Sequence, residues 1–371
     1  MNLFYINPMS YNNLGEYDHS LLSNLDNKNG EIYFFSSTNF EFSLDEIKNI
    51  PIYNYNNKKS IFKLFSYLYS QITLIFYIKK IKPDVIHFQW FRFSLFDYLV
   101  LLIIQIFNKK VKIIYTAHNI LPHNQRLFDK YFYKKIYEIV DIVIVHDNRS
   151  KEKLFNEFIG NREKIRVIPH GVFQKKENND DLLPLYEKQK DEIIYAVIGG
   201  IGDYKNIEEL IKIWLSYDMK KQSKKKLLLA GRFSLKMKKI IQKMEDSKNI
   251  ICIDRYLLNS EINFLHKISD VVIAAYSNIS QSGALMTAIA NRIPVIVTNV
   301  GGLDEVLYVG NIGWKVDINN LYVELFNLLI NMDKKQIKTI SCDLPEWENV
   351  LSYYSWKNIS SSTLKLYEEK K

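Results

Sequence analysis

Twice along the chain, short runs of β-branched and aromatic residues alternate with segments of helical period, and a polar stretch separates the two series. In the first half the runs fall at residues 3–6, 31–35, 85–88, 111–115, 142–145 and 166–168. In the second half they fall at 193–198, 226–230, 250–253, 271–274 and 294–298. Apolar runs spaced by helices are what a parallel sheet covered on both faces requires. The interruption, residues 174–191, is rich in lysine and acid, has no apolar period and contains Pro184, so it reads as a linker. A chain of 371 residues also exceeds what one core usually supports. The expectation is an α/β protein of two doubly wound domains, 1–173 and 192–352, closed by a helix over 353–371.

Several function classes drop out. Residues 1–8 read as a strand and lack the basic-then-apolar layout of an export leader. The most apolar stretch, 95–107, is interrupted by Asp97 and Gln105 and falls short of the roughly 20 residues that cross a bilayer. Cys252 and Cys342 show no metal-ligand spacing and are expected as buried thiols, so no metal site is expected. The anticipated location is the cytoplasm, peripheral on the inner membrane surface.

The net charge of +9 gathers in lysine clusters of the first half: Lys58, Lys59 and Lys63; Lys79, Lys80 and Lys82; Lys109, Lys110 and Lys112; Lys130, Lys134 and Lys135. They alternate with aromatic-rich helical stretches such as 61–77. That pattern suits an anionic membrane or a lipid-diphosphate acceptor, with a solvated basic face as the alternative. No recognition motif for nucleic acid accompanies the charge, and no nucleic-acid partner is expected.

The strongest local segment is Ser280-Gln281-Ser282-Gly283-Ala284-Leu285, which follows the run 271–274 and opens an apolar helix. A helix N-terminus presents unpaired amides and partial positive charge, and small residues there admit a diphosphate. The alternative is that Ser282 only caps its helix. Pro294-Val295-Ile296, Gly301-Gly302 and Glu305 then give a buried strand, a glycine turn and an acid able to accept ribose hydroxyls. Upstream, Gly199-Gly200-Ile201-Gly202 leads to Lys205, just before a helix whose expected capping box is Asn206 with Glu209. In the first half His118 lies at the C-terminal end of the run 111–115, where α/β folds put ligands, and imidazole titrates near neutrality.

These residues resemble the GT-B glycosyltransferases of family 4, also described as glycosyl transferases group 1. The resemblance implies two Rossmann-like domains facing a cleft, with the C-terminal helix crossing back to the first domain. It implies a donor nucleotide-diphosphate sugar (UDP or GDP), no required cofactor, and a glycan or lipid-linked oligosaccharide acceptor. Lys205 corresponds to the lysine that reaches the donor diphosphate. Gly200 stands where many relatives have an arginine, and Arg232 is the candidate to supply that charge. Gly15, Gly202, Tyr256, Ser280, Ser282, Gly283, Thr287 and Glu305 complete the implied donor set. His118 corresponds to the histidine beside the donor sugar, and Glu16, Tyr17, Asn119 and His123 are the implied acceptor contacts. His118, Lys205 and Arg232 are the residues expected to act in catalysis. Residues 13–17 resemble the family's glycine-containing first loop, and His170 and Gly171 its domain boundary.

Two departures stand out. Relatives usually carry two glutamates eight positions apart around the phosphate helix; here those positions are Ile279 and Thr287. A retaining transfer, which the family favours, needs no protein base, whereas an inverting one needs a group such as Asp18, Glu16 or His118. The expected activity is transfer of a hexose-type sugar to a growing bacterial-type surface glycan. The rival is a catalytically inactive GT-B subunit that supports a partner transferase.

Overall fold

A computed structural model of the chain describes all residues except 27–29, 55–59, 123–124, 174–185, 245–247, 280–281, 341–343 and 370–371. It divides into two compact units, Met1–Gly171 with Ser355–Lys371, and Val172–Tyr354. Most of the expected linker, and with it Pro184, lies outside the described residues.

In the first unit seven strands form one sheet: β1 (Leu3–Ile6), β2 (Ile32–Ser37), β3 (Ile47–Tyr53), β4 (Val85–Phe88), β5 (Lys112–Thr116), β6 (Ile142–Val145) and β7 (Ile165–Val167). Their order is β3-β2-β1-β4-β5-β6-β7, and every pairing is parallel. β1, β2, β4, β5 and β6 are buried at every residue, as a sheet covered on both faces demands. The helix Trp356–Glu368 packs on the helix Asn12–Leu22, and its Ser360 hydroxyl donates to the Leu21 carbonyl at 2.8 Å.

The second unit repeats the plan with six strands: β8 (Ile193–Ile198), β9 (Lys225–Ala230), β10 (Ile250–Ile253), β11 (Val271–Ala274), β12 (Val295–Thr298) and β13 (Gly313–Val316). Their order is β10-β9-β8-β11-β12-β13, again all parallel. The family's fold is thus present: two parallel sheets with alternating helices.

Two strands escape the sequence reading, β3 and β13, and both are sheet edges. β3 carries Lys48, Asn49 and Pro51 and is half-open to solvent; β13 begins with a glycine and exposes Lys315. Edge strands need no continuous apolar run and tolerate proline, and these two lack such a run, unlike the edge β10, which the pattern finds together with the edge β7. The same exposure corrects the expectation for Cys252. It lies on β10, the opposite edge of the second sheet, and is exposed rather than buried. Cys342 lies outside the described residues.

Part of the lysine excess is structural. Lys112 Nζ donates to the carbonyls of Leu366 and Glu369 at 2.5 and 2.6 Å, closing the helix Trp356–Glu368. Lys164 does the same for the helix Asp129–Ile139, through Tyr137 and Glu138 at 2.9 and 2.8 Å. Lys225 closes the helix Leu321–Asn331 through Leu329 and Ile330 at 2.7 and 2.8 Å. An ammonium at a helix C-terminus satisfies orphan carbonyls and complements the helix dipole. Burial lowers the pKa of all three.

Candidate active site

In the second unit the strand order reverses between β8 and β11, so the loops after these strands flank the crevice where doubly wound sheets bind ligands. The loop after β8 is tied to the loop after β9 by Gly199 N–H to Ala230 O and Ile201 N–H to Arg232 O, both 2.9 Å. Gly199 and Gly231 take φ of +99° and +137°, and a Cβ on Gly231 would run into the Gly199 carbonyl. Only glycine permits that approach.

Lys205 ends a short turn in this loop and folds back beneath it. Its Nζ donates to the Ile198 carbonyl at 3.0 Å, lies 5.2 Å from the centre of the Tyr276 ring, and is only 3 % exposed. Among the described residues no carboxylate pairs with it. Burial pushes the ammonium down to about 8, with Tyr204 pulling the other way. A Cβ built on Gly199 would stand 3.6 Å from Lys205 Nζ and 3.9 Å from Ala284 Cβ, so loop, ammonium and the start of the helix Gly283–Ala290 converge on one spot.

Ser282 caps that helix, its hydroxyl accepting from Leu285 N–H at 3.2 Å. The Gly283 and Ala284 amides have no acceptor among the described residues, and Gly283 is exposed. The capping role and two amides without an acceptor among the described residues therefore coexist. Thr287 is buried, and its hydroxyl donates to the Gly283 carbonyl of its own helix at 2.9 Å. Glu305 is half-buried at the start of the four-residue helix Val306–Val309, beyond the glycine turn after β12.

Other implied donor residues are spread wider. Gly200 is exposed, and a Cβ there would meet nothing within 4 Å; Gly202 lies against Tyr204. Arg232 joins the loop through its backbone while its side chain is exposed. Tyr256 is 78 % exposed just beyond β10, two strands or roughly 10 Å across from β8. It is not brought together with Lys205. Ser280 lies outside the described residues, as does His123. The expected capping box at residue 206 does not form: Asn206 adopts a left-handed conformation with φ 52°, and its Nδ2 donates to the Ala275 carbonyl at 2.7 Å. That bond ties the start of the helix Ile207–Leu215 to the end of β11, while Glu209 pairs with Lys212 at 2.6 Å.

In the first unit the strand order reverses between β1 and β4. Residues 13–17, expected as a loop, belong instead to the helix Asn12–Leu22. Gly15 serves close packing there, since its Cβ would stand 3.3 Å from the Ser10 backbone. The helix buries Tyr17 and leaves Glu16 half-exposed. Asp18 is fully buried and accepts from Tyr5 Oη at 2.8 Å and Asn7 Nδ2 at 2.6 Å. Burial raises its pKa well above the usual carboxylate range, the two hydrogen bonds acting against it. Both oxygens are engaged, so Asp18 holds β1 to the helix rather than standing ready as a base.

His118 sits in a ring cluster. The Tyr17 ring packs edge-on at 4.8 Å, with Trp356 on Tyr17 at 5.0 Å and His170 at 5.2 Å. His118 Nε2 is 3.1 Å from Gln89 Oε1, and its Nδ1 is 3.1 Å from His146 Nε2. His146 Nδ1 in turn faces the Ile168 carbonyl at 2.9 Å. Burial is the main reason that the pKa of His118 falls well below the ordinary imidazole value, with His146 at about 4 and His170 at about 3. Asn119, next in the chain, is half-buried.

Residues 17–173 match the family Glycosyltransferase Family 4, and residues 178–341 match the family Glycosyl transferases group 1. The chain belongs to this glycosyltransferase family. No curated protein matches it. Among solved structures, the glycosyltransferase resembles a sucrose-phosphate synthase from Thermosynechococcus elongatus at a TM-score of 0.70 and 18 % identity, covering 99 % of this chain and 98 % of that one. It resembles Anabaena HepE, solved in complex with UDP and glucose, at 0.68 and 14 %, covering 99 % of each chain. It also resembles the lipopolysaccharide outer core galactosyltransferase WaaB in its apo form, at 0.67 and 12 %, covering 99 % and 100 %.

Gln89, His146 and Trp356 carry this cluster in the glycosyltransferase and were not singled out from the sequence as site residues. Gln89 and His146 immediately follow β4 and β6, as His118 closely follows β5, so polar residues at consecutive strand ends were the available signal. Trp356 had none: it reaches Tyr17 only because the C-terminal helix belongs to the first unit. A Cβ on Gly171 would strike its ring. Among the described residues no group of three or more His, Cys, Asp or Glu is placed to hold a metal ion.

Proposed function

We propose that this glycosyltransferase moves a hexose-type sugar from a UDP- or GDP-sugar to a growing, lipid-linked bacterial-type surface glycan, with retention of configuration. The observation that carries the donor half is Lys205: a buried ammonium with no anionic partner among the described residues, beside a glycine loop and two helix amides. A cation buried without a counter-charge is costly, and a donor diphosphate supplies one. In this reading Lys205, Gly283 and Ala284 hold the diphosphate and stabilise the charge that develops as the sugar departs, Arg232 adds a solvent-side cation, and Glu305 accepts ribose hydroxyls. Ser282 acts by shaping the helix start.

His118 contacts the sugar in this reading, with Tyr17 and Gln89 fixing its ring; Glu16 and Asn119 border the acceptor. Of the three candidate bases Asp18, Glu16 and His118, Asp18 is held by Tyr5 and Asn7, which supports the retaining reading. The WaaB likeness is one of fold and is compatible with a surface-glycan acceptor.

The second reading, an inactive subunit, is favoured by Ile279 and Thr287 standing where relatives carry glutamates, Thr287 with its hydroxyl turned onto its own helix. Incubating the protein with a panel of UDP- and GDP-sugars separates the two. Slow release of free nucleotide diphosphate, with a thermal shift for one base, is the expected result. Absence of both with every nucleotide would favour the inactive subunit.

A further inference from the structure

The helix Ser60–Ile81 is apolar on the side that faces water as well as on the side that faces the sheet. Tyr67, Leu74 and Ile78 are buried, whereas Phe62, Phe65, Tyr69, Ile72 and Phe76 are each 58–73 % exposed. The exposed set recurs at intervals of three and four residues and forms one stripe along a helix about 33 Å long. The neighbouring helix Ser94–Phe107 packs beside it and exposes Leu95, Leu99 and Ile106. Soluble surfaces rarely present so much contiguous large apolar area without a partner.

Charge says which partner. The helix Ser60–Ile81 contains Lys63, Lys79 and Lys80 and no acidic residue, and Lys82 follows it. Lys79 Nζ lies 3.7 Å from the centre of the Phe107 ring, so the lysine-rich end of this helix adjoins the end of the next, where Lys109 and Lys110 are also exposed. The acids of this helical layer are withdrawn: Asp97 and Asp129 are buried, and Glu138 pairs with Lys135. Two copies of the chain meeting on this stripe would set lysine against lysine, and neither helix exposes a carboxylate to relieve it. An anionic lipid surface gives the aromatic rings an apolar medium and the ammonium groups a counter-charge at the same depth.

We infer that the outer face of the helices Ser60–Ile81 and Ser94–Phe107 is a membrane-docking surface that lies flat on an anionic phospholipid bilayer. Among the described residues no helix is long and apolar enough to cross one. The inference deepens the proposed function and rests on its membrane-borne acceptor, because a face that holds the first unit at the lipid surface brings its site to a lipid-linked substrate.

Flotation of the full chain with vesicles tests it, using phosphatidylcholine alone and a phosphatidylcholine–phosphatidylglycerol mixture, without donor or acceptor. The wild type floats with the mixture and is released by salt. Phe65→Ser with Phe76→Ser abolishes flotation at every salt concentration while leaving Tm unchanged. Lys79→Gln with Lys80→Gln lowers binding about tenfold at low salt and flattens the salt dependence. A wild type that stays in the soluble fraction with both vesicle types, or a Phe65→Ser/Phe76→Ser protein that floats as the wild type does, overturns the inference. So does a concentration-dependent dimer abolished by the same pair of substitutions, which would give the face to a second copy. Nucleotide-sugar turnover measured without vesicles is a separate readout, so loss of the donor reading and loss of the docking surface are distinguishable.

Discussion

His146 Nε2 stands 3.1 Å from His118 Nδ1 while the other nitrogen of His146 faces the Ile168 carbonyl at 2.9 Å. The carbonyl can only accept, so His146 carries its proton on Nδ1 and offers a lone pair at Nε2. His118 must then donate from Nδ1. A neutral His118 consequently has a lone pair at Nε2, where Gln89 Oε1 lies 3.1 Å away. Two lone pairs cannot bond. Either His118 is an imidazolium, or the Gln89 amide turns over and presents its NH2 group. Burial and the neighbouring imidazoles disfavour the cation. With the amide turned, the chain closes without conflict: Tyr367 Oη, 2.7 Å from His87 Nδ1, donates to it, and His87 Nε2–H donates towards Gln89 and Thr116.

The first prediction follows from that proton count. Nitrogen-15 spectra of the imidazoles are expected to show His118 and His146 neutral, both as Nδ1–H tautomers, at pH 6. The pKa of a buried base falls, so these rings stay neutral below the ordinary value near 6.5 and His146 charges only near 4. Gln89→Glu places a carboxylate beside His118 and moves its titration upward by a unit or more, or about 1.4 kcal/mol. An imidazolium at His118 in the wild type at pH 6 would refute the neutral chain.

Gly231→Ala tests the contact that shapes the donor loop. The substitution forces an L residue into φ +137° and drives a methyl into the Gly199 carbonyl. A loss of about 2–3 kcal/mol is expected in denaturant unfolding of the second unit, with nucleotide binding weakened in parallel. Gly200→Ala, at an exposed position with open space, serves as the control and is expected to change stability by less than about 0.5 kcal/mol.

The sequence pattern carried most of this architecture because buried parallel strands must be apolar without interruption. The buried strands β1, β4, β6, β8 and β11 have the bounds that the runs predict, and so does the partly exposed edge strand β10, whose run is apolar throughout. What it could not carry depends on partners distant in sequence. The residues after β1 look like a glycine loop, yet they start a helix. Asn206 has the composition of a helix cap, yet its amide finds Ala275, sixty-nine residues on. Lys205 was legible as a residue before a helix, but its burial comes from folding back onto the Ile198 carbonyl and the Tyr276 ring, the latter seventy-one residues on, which no local pattern announces.

Gly200→Arg is expected to gain function. The family resemblance places an arginine there, and the structure leaves room for a side chain. A second cation near Lys205 should tighten nucleotide diphosphate about tenfold while leaving the nucleoside unchanged, as read by calorimetry. Equal gains for both ligands would show that the arginine is not reaching the phosphates.

The last prediction concerns Lys205, where stability and binding oppose each other. Its folded pKa, about 8, lies below the ordinary 10.5, so the unfolded chain binds more protons between those values. The sign follows directly: burying the ammonium costs stability below pH 8, and the cost is relieved as pH rises from 8 towards 10.5. Lys205→Met removes the buried charge and is expected to raise the Tm of the ligand-free protein at pH 7, by the equivalent of about 1 kcal/mol. The same variant should lose the Tm gain that nucleotide diphosphate gives the wild type, with Kd about a hundredfold weaker, as for loss of a charge-assisted hydrogen bond. In the wild type the Kd should be flat below pH 8 and weaken about tenfold per unit above it, because only the charged ammonium binds the diphosphate. In Lys205→Met the profile should be flat throughout. A Lys205→Met protein that is less stable without ligand, yet binds diphosphate with the wild-type pH profile, would place Lys205 in the scaffold and move the phosphate site elsewhere.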